Sequence, residues 1–457
     1  MSRLSLPDAA WLLMENRDRP MHVAGLQLFE FPEDAPANFL RELAAQFRES
    51  TDLRPPFNWR LDRPYGRAGQ FKWVEDEHVD LDYHFRHSAL PKPGRVRELL
   101  VLVSRLHTTL LDRHRPLWES HLIEGLRGKR FALYTKASHS MLDGVAAMRQ
   151  VLKSFTPDPS VRDLPPPWAI KEEPRAARDK SNVNPTAAAL SAFSKVGSIA
   201  SAAKVLAQQV QAARRIEAET VPFQAPESIL NTRITGSRRF VGQSWDLERI
   251  RLVSKALGGT INDVLLAMCS GALRDYLTDL DALPDKPLIA NVPVSIRPQD
   301  ADSDSGNAIS FLLANLATHL DDPGQRFSLI KESTSRAKER LSTMTYDELI
   351  SYAILMNAPI LTGTFTGRAA KGKPIFNVAI SNVPGPKEQL YWNGALMQSI
   401  YPVSLIVEGQ ALNITQTSYA GQIHFGIIAD RLALPHVQRL IDHVDDALKE
   451  LEEVAGL

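Results

Sequence analysis

The chain has 457 residues, 44% hydrophobic and 23% charged, a globular composition at a length that favours two or three domains over one. Lys+Arg and Asp+Glu both number 53, so the formal net charge is zero and no global basic field marks nucleic acid as a partner. One cysteine, Cys269, excludes an internal disulfide framework and a Cys-based zinc cluster; it reads as an inert core thiol in a reducing compartment, the cytosol by default.

In the first thirty residues Asp, Glu or Arg interrupts every apolar run before it reaches the length of a secretion signal. No window approaches the roughly 18 uncharged apolar residues of a membrane span, so any membrane contact is expected to be peripheral. "DAAWLLMEN" (8–16) has the spacing of a short helix, "MHVAGLQLFEF" (21–31) alternates like a strand, and "RVRELLVLVSRLHTTLL" (95–111) is helical. "RFALYTKA" (130–137) reads as a strand, and from Val145 the residues Met148, Leu152 and Phe155 recur at threes and fours, the pattern of a helix leaning on a core.

From 157 to 189 the chain is rich in Pro and charge and lacks periodicity, which predicts an exposed interdomain linker. The Ala-rich stretch that follows sets Leu190, Phe193, Val196, Ile199, Leu206 and Val210 near one stripe. It reads as a helix packed across the domains, with contact to a lipid surface as the alternative. The second half restarts the pattern. "RRFVGQSWDL" (238–247) predicts a strand, "LERIRLVSKAL" (247–257) a helix stopped by Gly258-Gly259, and "TINDVLLAMCSGALRDYL" (260–277) a further helix. "PLIANVPVSIR" (287–297) and "IFNVAISNV" (375–383) predict strands stopped by Pro. The grammar is α/β, with domains expected over 1–156 and 221–457 and a linker with interdomain helix over 157–220.

The stretch that carries chemistry is His139-Ser-Met-Leu-Asp143-Gly144, at the handover from strand to helix. A histidine at a strand end is neutral and basic near pH 7 and can take a proton from an attacking hydroxyl. Asp143 four residues on can anchor the loop, and Gly144 permits a tight backbone transition. The structural alternative makes Asp143 the N-cap of the following helix and His139 an ordinary satisfied histidine.

This hexad occurs with "PMHVAGLQLF" (20–29), "RPLWESHLIEGL" (115–126), "NVPVSIRP" (291–298) and "SNVPGP" (381–386). Together these resemble the bacterial bifunctional wax ester synthase/diacylglycerol acyltransferase family, a branch of the CoA-dependent acyltransferases, from about residue 4 to the C-terminus. The resemblance implies two chloramphenicol acetyltransferase-like α/β domains with a tunnel-shaped active site at their interface. It implies transfer of a long-chain fatty acyl group from acyl-CoA to a fatty alcohol or diacylglycerol, with His139 as general base and no acyl-enzyme. Acyl-CoA is then a substrate; no cofactor, metal or nucleic acid is expected. The setting would be cytoplasmic, with peripheral contact to the inner membrane or lipid inclusions left open.

Where the family has a first histidine this chain has Ser138, which needs only to be small and polar; no Gly-x-Ser-x-Gly elbow surrounds it. Arg297 is expected, by analogy within the superfamily, to pair with Asp143. Asn262 and Asp263 follow Thr260 as an acidic capping box, a structural role. Ser381, Asn382, Pro384 and Gly385 are expected to form a rigid turn at a channel rim, and Trp118 and Glu119 to pack and hydrogen-bond locally. The rival readings are a condensation domain acting on carrier-bound groups and a non-catalytic lipid-surface protein descended from the enzyme.

Overall fold

The computed structural model describes residues 2–67, 69–170, 200–295, 309–345 and 372–457, with 347–349, 351–353, 355–356, 363 and 370 between the last two. Arg297 and the greater part of the linker lie outside the described residues, as does the first half of the Ala-rich stripe.

The alternating run after Met21 forms the strand His22–Glu30, and the "RFALYTKA" run forms Arg130–Ser138. Eight of the nine residues of Arg130–Ser138 are buried, because both faces of the strand are covered. These two strands are the centre of a six-stranded sheet running Tyr391–Trp392, Ala395–Val403, His22–Glu30, Arg130–Ser138, Trp118–Leu126, Phe85–Ala89. All neighbours are antiparallel except the last pair. A second six-stranded sheet runs Ile309–Asn315, Ile289–Ser295, Val378–Val383, Leu412–Tyr419, Gln422–Asp430, Arg238–Asp246. Its middle strands are parallel and its outer ones antiparallel. A small sheet joins Ser2–Arg3, Lys72–Glu75 and Trp59–Leu61.

One face of the first sheet lies under an aromatic cluster that includes Phe29, Phe47, Phe131, Trp118, Trp168 and Trp392. The other face shares one core with the second sheet: Leu26 and Tyr134 lie in the same cluster as Phe240, Val241, Phe425 and the helix Ile261–Thr278. Two α/β layers facing each other are therefore what the repeated strand-then-helix grammar builds.

Two expectations are corrected. The strand Ala395–Val403 falls in the C-terminal stretch of the sequence but pairs along its length with His22–Glu30, so the boundary at 221 does not separate the two sheets. It also meets the second sheet face to face, where a Cβ on Gly426 would sit 1.8 Å from the Pro402 carbonyl oxygen, so only glycine fits. Pro293 lies inside the strand Ile289–Ser295, as the run 287–297 implied, and the Pro298 expected to end it lies outside the described residues. The parallel ladder to Val378–Val383 has already ended at Asn291, which relieves the demand for a donor on that side. The linker is exposed at 157–160, as expected, but not throughout: Trp168 is buried against Phe47, Phe85 and Trp118, since a tryptophan has a large apolar surface to hide.

Among the described residues no single helix is long and apolar enough to cross a membrane. The bent pair Leu247–Ala256 and Ile261–Thr278 passes by length and composition only, and the second of these is largely buried in the core.

Candidate active site

The strand Arg130–Ser138 delivers His139 at its C-terminal end, where the His139 backbone N–H donates to Met21 O at 2.9 Å. The Met141 and Leu142 N–H groups then both donate to Ser138 O, at 2.9 and 3.0 Å, so the chain turns tightly after the histidine. Asp143 closes the turn as N-cap of the helix Gly144–Leu152, its Oδ1 accepting from Ala146 N–H at 2.8 Å. The capping alternative for Asp143 is thus realised in full, and it anchors the loop that carries His139. Gly144 shows no backbone need for glycine: its φ is not positive and a Cβ there would meet nothing within 4 Å. The expected tight transition is made by the Ser138 carbonyl instead.

His139 stacks against Trp11 of the helix Leu6–Met14, ring centroids 4.2 Å apart at 27°. Its Nδ1 is buried without a hydrogen-bond partner. Burial holds the imidazole below its ordinary pKa, partly offset by its own main chain and by the carboxylates of Asp143 and Asp8. A group so placed is neutral near pH 7 and available to accept a proton.

Ser138 is buried at the strand end, opposite His22 in the adjacent strand. Its Oγ lies 2.8 Å from the Ser140 hydroxyl and accepts from Ser140 N–H at 3.3 Å, so it braces the turn. Glu119 and Lys136 face each other across adjacent strands with Lys136 Nζ 3.4 Å from Glu119 Oε2, both inside the protein. Sequence reasoning treated Glu119 as a local hydrogen-bonding residue and missed Lys136; its place three residues before His139 in an apolar run was the available signal.

Asp263 is committed to structure. Its Oδ2 accepts from Thr260 N–H (2.8 Å) and Thr260 Oγ1 (2.7 Å), and its Oδ1 from Thr334 Oγ1 (2.7 Å). No described hydrogen bond or ion pair joins Asn262 or Asp263 to His139. Arg297, expected to meet Asp143, lies outside the described residues. Cys269 is buried, its thiol pushed up to about 12.

The strand end carrying Ser381 and Asn382 reaches the motif helix through Thr417. Thr417 Oγ1 donates to Val383 O at 2.7 Å and lies 3.8 Å from Met148 Sδ of Gly144–Leu152. Ser381 Oγ donates to Thr415 Oγ1 at 2.9 Å, whereas the buried Asn382 Oδ1 has no partner. Pro384 is exposed, and Gly385 packs so closely that a Cβ would lie 2.2 Å from Ser418 O. The motif helix of the first sheet and a strand end of the second thus meet. Among the described residues no group of three or more His, Cys, Asp or Glu side chains is placed to hold a metal ion.

Comparison with known proteins bears on what this arrangement does. The family described as wax ester synthase/diacylglycerol acyltransferase catalytic domain matches residues 4–265, and its C-terminal domain matches 305–452. The chain is 45% identical to O-acyltransferase WSD of Acinetobacter baylyi, over 98% of this chain and 96% of that protein. It is 43% identical to the probable diacylglycerol O-acyltransferase tgs2 of Mycobacterium tuberculosis, over 98% of each. The solved wax ester synthase/diacylglycerol acyltransferase of Marinobacter aquaeolei superposes over the whole of both chains with a TM-score of 0.78 and 44% identity. A condensation domain of the calcium-dependent antibiotic synthetase shares the fold, TM-score 0.59, at 15% identity.

Proposed function

From the premise that this chain belongs to the wax ester synthase/diacylglycerol acyltransferase family and is an acyltransferase, we propose that it transfers a long-chain fatty acyl group from acyl-CoA to the hydroxyl of a fatty alcohol or diacylglycerol, with His139 as general base. His139 takes the hydroxyl proton as the oxygen attacks the thioester carbonyl. Collapse of the tetrahedral intermediate expels the CoA thiolate, and the imidazolium returns the proton to sulfur, giving ester and free CoA. Asp143 holds the loop through its cap rather than by touching the reacting atoms. Ser138 and Ser140 brace the turn, and the Ser381–Gly385 strand end forms part of the channel wall. Acyl-CoA is a substrate and no cofactor takes part. Both acceptors partition into lipid, so the protein would work on the cytoplasmic side in peripheral contact with a membrane or lipid inclusion.

The observation that carries this reading is the neutral, half-buried imidazole at the end of a rigid strand, in a loop tied at both ends. The test is thiol release from palmitoyl-CoA with hexadecanol or a diacylglycerol as acceptor. A general base contributes about 10² to 10⁴ in rate, so His139→Ala should lose at least 10²-fold with its melting temperature kept. Retention of more than a tenth of wild-type ester formation would remove His139 from the reaction.

A further inference from the structure

We propose that Trp11 is a positioning residue for the His139 imidazole, fixing the plane of the ring and shielding one face of it from water. The inference rests on His139 being the base. A base that shuttles a proton from an alcohol oxygen to a thiolate needs a ring whose tilt is held, and a histidine is usually held by a hydrogen bond from its second nitrogen to a carboxylate or carbonyl. Here no other residue supplies that hold. Nδ1 is buried with only the main chain of His139 itself beside it, and the nearby Asp143 carboxylate is committed at Oδ1 to the Ala146 N–H. The ring contact at His139 is the indole of Trp11, at 4.2 Å and 27°, an offset stack that sets orientation and leaves the ring nitrogens free at the edge.

The stack is itself anchored. Ser5 caps the helix Leu6–Met14 at Asp8 N–H. Ala9 and Leu12 are buried with Leu61, Phe71, Trp73 and Leu117 in a cluster against which Met141 of the motif loop packs. Beyond the helix, Glu15 is held by Arg113 at 3.0 Å and accepts from Met21 N–H at 3.2 Å, and Met21 O in turn receives the His139 N–H. The helix and the loop are therefore tied to the same residue, and the indole cannot drift from the imidazole without breaking that chain. The face of the indole also attracts the imidazolium that forms during turnover. The charged groups that act on His139 are Asp8, on the helix of Trp11, and Asp143, on the motif helix; neither is altered by changing Trp11.

The experiment compares wild type, Trp11→Phe, Trp11→Leu, Trp11→Ala and His139→Ala, with Leu13→Ala on the exposed face of the same helix as control. The readouts are kcat and KM for palmitoyl-CoA with hexadecanol, the pH profile of kcat/KM, and the melting temperature. Trp11→Leu and Trp11→Ala should lower kcat at least tenfold with KM changed less than threefold, and Trp11→Phe should stay within about threefold of wild type. Opening the ring face to water should raise the acid-limb pKa of Trp11→Ala toward the ordinary histidine value; Trp11→Phe and Leu13→Ala should keep the wild-type profile. Trp11→Leu keeps an apolar side chain on the helix, so it decides the matter if Trp11→Ala fails to fold. The inference is overturned if the Leu and Ala variants lose activity only in proportion to their loss of folded protein with an unmoved pH profile, or if Phe does no better than Leu. Should His139→Ala itself retain activity, it is the base assignment that falls; a dead His139→Ala beside a wild-type-like Trp11→Leu sinks only the role of Trp11.

Discussion

Replacing Glu119 by Gln should destabilise the protein by about 3 kcal/mol, the lower end of the range for removing one partner of a buried ion pair. The carboxylate is 3% exposed. Burial alone would raise its pKa, but the contact with His121 at 3.5 Å, Lys136 at 3.4 Å and Arg86 at 3.6 Å outweighs burial and holds it at about 2 against an ordinary 4.5. At 1.36 kcal/mol per pKa unit that drop corresponds to about 3 kcal/mol of preferential stabilisation of the charged form in the folded state. Lys136, pushed down by its own burial, opposes part of this. With Gln at 119 the ammonium of Lys136 stays inside the protein without a carboxylate in contact, held by the carbonyls of Leu106 (3.0 Å) and Thr109 (2.8 Å) near the end of the helix Val96–Thr108. Thermal melting followed by circular dichroism should show a fall of about 3 °C for a chain of this length melting as one unit, and more if the first half melts alone. Because the folded pKa lies below the unfolded one, the contribution is whole above pH 4.5 and fades as the pH drops toward 2, so the gap between wild type and variant should be widest near neutrality and close in acid. Glu119→Gln/Lys136→Met should fall short of the sum of its single variants. A melting temperature unchanged at pH 7, or fully additive losses in the double variant, would refute the argument.

Asp143→Ala should lower both melting temperature and turnover, since it removes a cap worth about 1 kcal/mol from the helix behind His139; an unchanged melting temperature with an altered pH optimum would instead put the carboxylate in the proton path. Ser138→Ala should cost less than about tenfold in kcat/KM, the worth of one neutral hydrogen bond, and a loss as deep as that of His139→Ala would make the serine catalytic. Gly385→Ala should yield markedly less folded protein at 37 °C, because its Cβ would collide with the Ser418 carbonyl and not with a flexible side chain; full solubility with a wild-type melting curve would contradict the packing described.

Local signals were legible where their causes are local. The capping box of Thr260 and Asp263 and the cap by Asp143 each involve a side chain and an N–H three residues away, and both are found as read. The buried strand Arg130–Ser138 announced itself by an apolar run and the turn after it. What stayed hidden depends on distant partners. Nothing near Trp11 in sequence marks a stack on a residue 128 positions on, and the helix Pro323–Ser342 is mostly polar although Phe327, Ile330, Ala337 and Leu341 are buried. Gly144 shows the opposite failure, where a familiar residue suggested a backbone need that the dihedral angle does not have.

The pairing of Ala395–Val403 with His22–Glu30 makes the chain's ends depend on each other during synthesis. When the first half has emerged, His22–Glu30 can already pair with Arg130–Ser138, but its other edge stays open until residues near 400 leave the ribosome. For that interval the nascent chain presents a nine-residue strand with unpaired N–H and C=O groups, the kind of edge that recruits other strands. Cutting the protein at the composition change near 157–220 would make the interval permanent. The N-terminal fragment would carry His139 yet be expected to aggregate, and adding back a peptide spanning 391–403 would be the direct way to quiet it.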